Sequence, residues 1–73
     1  MALRRFEGVV LEFNPARGFG YVRVLGPHAK AFLHIREFPP DVGAHDVRRG
    51  SKISCFLENH ERGLRAIRAE LVQ

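Results

Sequence analysis

Five short stretches of the chain carry apolar residues in the period of two that suits a pleated strand: Phe6 to Phe13, Phe19 to Leu25, Lys30 to Ile35, Lys52 to Glu58 and Leu64 to Leu71. Each is rich in β-branched or aromatic residues. Between them stand Asn14-Pro15-Ala16-Arg17-Gly18, Gly26-Pro27-His28-Ala29, the long segment from Arg36 to Ser51, and Asn59 to Gly63, all with residues that break regular structure. The last stretch has helix-forming Ala, Leu, Glu and Arg, but Ile67, Ala69 and Leu71 alternate with Arg68 and Glu70, which favours a strand. The pattern predicts an all-β chain, with turns spaced as in a small barrel. No internal repeat or low-complexity tract interrupts it.

Alternation also assigns faces. Neighbouring side chains of a strand point to opposite sides, so Arg17, Phe19, Tyr21 and Arg23 share one face while Gly18, Gly20, Val22 and Val24 share the other. In the third stretch Ala31, Leu33 and Ile35 suit a core, leaving Lys30, Phe32, His34 and Arg36 opposite. Turning the aromatics inward would bury arginines and a lysine with them, a penalty beyond the stability of a small domain. The expected result is an outward surface of Phe19, Tyr21, Phe32 and His34 fringed by cations. Nucleobases stack on such rings for roughly 1–3 kcal/mol each, while cations meet phosphates. Gly18 and Gly20 read as a bend or bulge that also leaves the backbone open to close approach.

Composition narrows the function classes. With 73 residues, 45% of them hydrophobic, the chain reads as one domain over 1–73. It has no apolar run of the ~18 residues that a membrane helix needs, and the opening MALRRFEG lacks the apolar centre of a signal peptide, so the expected location is the cytoplasm. Cys55 has no partner for a disulfide or for a zinc site with the histidines, and neither metal nor cofactor is expected. The net charge of +4 and a pI near 10.2 suit an anionic partner. Ten of the twelve basic residues are arginine, which forks onto phosphate and stacks on bases better than lysine. No paired carboxylates, nucleophile beside a histidine or phosphate loop is visible, and Arg17-Gly18-Phe19-Gly20 lacks the lysine and spacing of a Walker loop, so no enzyme is expected.

Gly8-Val9-Val10-Leu11-Glu12-Phe13-Asn14, then Arg17-Gly18-Phe19-Gly20-Tyr21-Val22, then Ala31-Phe32-Leu33-His34-Ile35 resemble the cold-shock domain, with both ribonucleoprotein motifs in order. The resemblance continues more loosely through Arg49-Gly50-Ser51-Lys52-Ile53 and Arg62-Gly63-Leu64-Arg65-Ala66. It implies a five-stranded antiparallel Greek-key β-barrel of OB type that binds single-stranded RNA or DNA, in a family of RNA chaperones and regulators of transcription or translation. Position by position it makes Phe19, Tyr21, Phe32 and His34 the stacking residues, sets Phe13 and Asn14 beside them, and gives Arg17 and Arg62 basic positions of the family. Arg23, Lys30 and Arg36 flank the aromatics as further phosphate contacts.

The departures matter as much. Glu12 stands where the family usually has a stacking tryptophan, which implies a lost subsite. Val9 and Leu11 replace usual lysines, and Ile35 replaces the second motif's final aromatic. Phe38 aligns with a family isoleucine that packs inward, and His45 is the one candidate near the loop's usual aromatic. Arg48 and Arg49 read either as compensating cations or as a solvated loop. Phe56 falls out of parity with Ile53, Cys55 and Leu57 and so points outward, unless a bulge intervenes. Val9, Leu11 and Phe56 therefore raise an alternative, a homodimer or protein contact through the first strand with nucleic-acid binding only vestigial.

Overall fold

The computed structural model describes residues 4–72. Strands β1 (Phe6–Asn14), β2 (Phe19–Val24), β3 (Ala29–His34), β4 (Lys52–His60) and β5 (Gly63–Leu71) close a barrel in the order β1-β2-β3-β5-β4. Four of the seams are antiparallel ladders. The fifth, between β3 and β5, is a parallel contact in which Phe32 faces Arg65. Strand bounds lie within about two residues of those the alternation predicts, and the last segment is a strand.

Alternation produces the core. Val10, Val22, Val24, Ala31, Leu33, Ile53, Cys55, Ala66 and Ala69 point inward and are buried. The long β3–β4 segment adds Phe38 and Val47 to the same cluster, so that connection is anchored from within; Phe38 packs inward as its alignment implies. Burial pushes the Cys55 thiol above its ordinary range, and the charge of Arg5 opposes this to a lesser extent.

Two bulges bend the barrel. In β1 the pairing passes from Val10↔Val22 to Glu12↔Tyr21, leaving Leu11 without a partner across β2. Opposite this bulge β2 has Gly20, where a Cβ would lie 2.7 Å from the Phe13 Cα and overlap the Glu12 carbonyl. Close approach of the two backbones thus requires glycine there.

The second bulge is in β5, where register shifts opposite Ser54 and Phe56 and Arg68 adopts a left-handed φ of 49°. Its backbone is held by two distant side chains. The Arg68 N–H donates to Glu37 Oε1 at 3.1 Å, and its carbonyl accepts from Arg5 Nη2 at 2.9 Å. A non-glycine residue in this region is strained by roughly 1–2 kcal/mol, and glycine gives back about 0.5–1 of that in chain entropy. Arg68→Gly keeps both backbone bonds and is expected to stabilise the fold by up to about 1 kcal/mol, a rise of a few degrees in thermal melting. A lower melting temperature would show that the exposed Arg68 side chain outweighs the strain.

Candidate nucleic-acid interface

The outer face of β1, β2 and β3 forms three cross-strand rows. The first runs Asn14, Phe19, His34; the second Glu12, Tyr21, Phe32 and, across the parallel seam, Arg65; the third Val9, Arg23, Lys30. Strand spacing therefore brings four rings into one surface. Phe32 is its centre, with centroids 5.6 Å from Phe19, 5.9 Å from Tyr21 in an edge-on pair, and 6.5 Å from His34. These separations are within or near the range of favourable aromatic pairs, so the rings brace one another while staying only half-buried. Lys30 Nζ lies 4.5 Å from the Tyr21 centroid.

The remaining expected residues fall in several surroundings. Arg23 is exposed on the face beside Lys30. Arg17 is not on the strand face but in the exposed turn before β2. Asn14 is across from Phe19, yet its Oδ1 already accepts from the N–H groups of Ala16 and Arg17 at 3.0 and 3.2 Å, so it holds that turn. Phe13 departs from expectation: the Leu11 bulge sets it opposite Gly20 on the inward side, packed against the core. Arg36 lies in a 3-10 turn over Ile35–Glu37 that follows β3, and its N–H donates to His34 Nδ1 at 3.1 Å. That bond orients the His34 ring. Ile35 consequently leaves the strand and packs against the barrel end, half-buried.

Glu12 is exposed directly across from Tyr21, which puts a carboxylate in the central row. Arg48 Nε reaches the His45 carbonyl at 3.4 Å and so ties its own loop, while Arg49 is exposed. Phe56 lies outside the core beneath the Arg5 guanidinium, 4.7 Å from the ring centroid. Val9 instead lines a groove with Leu25 and Val72.

Sequence reasoning missed two residues at the β3–β5 seam. Tyr21, Lys30 and Phe32 line a groove of ≈ 460 Å³ together with Arg62, His60 and Arg65. Arg65 Nη1 lies 3.4 Å from His60 Nε2, and its Nε is buried with no partner among the described residues. Among the described residues no helix is long and apolar enough to cross a membrane.

No family model matches the sequence. The chain is 29% identical over 63 residues to cold shock protein CapA of Pseudomonas fragi, covering 86% of this chain and 97% of that protein. It is 31% identical over 68 residues to the major cold shock protein CspA of Pseudomonas aeruginosa, covering 93% and 96% respectively. Its fold is similar to that of Drosophila Unr CSD456, with a TM-score of 0.77 at 20% identity; the match covers 99% of this chain and 28% of that one. With the barrel, the ordered motifs and this similarity over nearly its whole length, the chain belongs to the cold shock protein family.

Proposed function

We propose that the chain is a binding module for single-stranded RNA or DNA, which stacks bases on Phe19, Tyr21, Phe32 and His34 and holds phosphates with arginines and lysine. The observation that carries this reading is the contiguous, half-exposed aromatic face centred on Phe32. A barrel whose core is already filled by valine, leucine, isoleucine and alanine does not need these rings for packing. Exposing them side by side serves a planar partner. Arg17, Arg23, Lys30, Arg36 and Arg62 surround them as exposed cations. Phe13 supports the face from beneath, and Asn14 shapes its edge. Glu12 repels phosphate beside Tyr21, so affinity rests on fewer stacks and more charge than an all-aromatic face would give. In the cytoplasm such a module acts as an RNA chaperone or a regulator of transcription or translation, without a catalytic step.

The test is a titration of labelled single-stranded oligonucleotides at several salt concentrations. With three to five phosphates neutralised, the log–log slope of affinity against salt is expected at about −2 to −3.5. Absence of binding to both RNA and DNA at low salt would sink the proposal. A second reading, a protein or second copy docked beside β1, rests on exposed Leu25 and Val72 next to Val9. Sedimentation of the same sample separates it: a mass that stays monomeric at all concentrations removes the dimer.

A further inference from the structure

The groove at the β3–β5 seam has a floor of one kind and walls of another. Tyr21 and Phe32 supply flat apolar surface, whereas the charged groups around them, Lys30, Arg62 and Arg65, can only donate hydrogen bonds; the one lining side chain with a ring nitrogen able to accept, His60, lies against Arg65. The carboxylates nearest by register are Glu12, across from Tyr21, and Glu58, across from Arg65. Both are exposed and neither lines the groove. Arg65 is the unsettled member. Its Nη1 makes a long contact to His60, and its Nε is buried without a partner among the described residues, so the guanidinium gains a bond by turning one N–H edge toward an adjacent pair of acceptors. The parallel contact with Phe32 fixes the Arg65 backbone at the rim of the stacking surface.

Among the bases, guanine offers two neighbouring acceptors, O6 and N7, on one edge. Adenine sets an amino donor beside its N7, and thymine or uracil places O4 beside a donor or a bare carbon edge. Cytosine in a single strand also has adjacent acceptors, N3 and O2, but it has an amino donor next to N3 and only one ring to lay on Tyr21 and Phe32, against the two rings of guanine. Building on the stacking role proposed above, we infer that this groove is a guanine subsite, in which the purine stacks on Tyr21 and Phe32 and Arg65 forks onto O6 and N7. Lys30 and Arg62 hold the flanking phosphates.

The experiment measures binding of seven-residue thymidine oligonucleotides whose central position is dG, dA, dC, dT or 7-deaza-dG, to the wild-type chain and to Arg65→Gln. The readout is the ratio of affinities within each protein, which cancels the general loss from removing a charge. In the wild type dG is expected to exceed dA by roughly tenfold. The ratio should collapse to about twofold or less with 7-deaza-dG, which lacks the N7 acceptor, and in Arg65→Gln. Equal affinity for all central bases, dC matching dG, or a dG preference that survives in Arg65→Gln each overturns the assignment while leaving base stacking intact. Failure of every oligonucleotide to bind overturns the stacking role as well. Should Arg65→Gln not fold, the 7-deaza-dG comparison in the wild type decides.

Discussion

Phe32→Ala is expected to weaken binding of single-stranded oligonucleotides by roughly 5- to 150-fold, the equivalent of 1–3 kcal/mol for one stack. The upper part of that range is favoured by geometry. Phe32 touches Phe19, Tyr21 and His34, so its removal deletes one stacking surface and unbraces three others. Its side chain lies outside the buried cluster, and the fold should survive with little change in melting temperature. Fluorescence anisotropy with a labelled oligonucleotide measures the loss. Affinity equal to the wild type would show that the aromatic face is not where bases bind.

Gly20→Ala is expected to destabilise the barrel by roughly 3 kcal/mol or more. Overpacking commonly costs about 1–3 kcal/mol where neighbouring side chains can move aside. Here the added methyl meets the Glu12 carbonyl and the Phe13 Cα, and neither can yield without parting β1 from β2. A small domain has only about 5 kcal/mol or somewhat more in hand, so most of its stability goes with that seam. Thermal unfolding should fall by more than about 12 °C, using about 4–8 °C per kcal/mol for a domain of this size. A melting temperature within about 2 °C of the wild type would refute the close-approach argument. Because Gly20 sits between Phe19 and Tyr21, the variant that does fold should also bind more weakly than its stability alone explains.

The strands and their inward faces were legible because alternation is local: valines at 22 and 24 and the aromatics at 19 and 21 settle the orientation of β2 without knowledge of its neighbours. The aromatic face followed from the same rule applied twice. What alternation could not supply was the effect of an extra residue in β1. Strict parity places Glu12 on the side of Val10, but the bulge turns it out beside Tyr21 and turns Phe13 in. Arg17 and Arg36 do not extend the strand faces to which parity assigned them, because the Asn14 side chain holds a turn before β2 and the bond to His34 holds the 3-10 turn after β3. Arg65 was invisible as a site residue for a different reason. Its place depends on a parallel contact between segments more than thirty residues apart, and nothing in its immediate neighbourhood encodes that.

The bulge at Leu11 also has a meaning for chain length. Counted along the β1–β2 ladder, Val10, Glu12, Phe13 and Asn14 already take consecutive slots opposite Val22, Tyr21, Gly20 and Phe19. Leu11 is the one residue of this run that the count does not use. A chain lacking it would retain the pairing order and the inward and outward assignment of all four neighbours, and after loss of Val10 or Glu12 Leu11 can step into the vacated slot; only a second deletion would force a choice between slipping the ladder and reversing a face. The first strand thus has a spare position beside the middle row, and a shortening or lengthening of the sequence there can be absorbed as curvature instead of being transmitted to the rings.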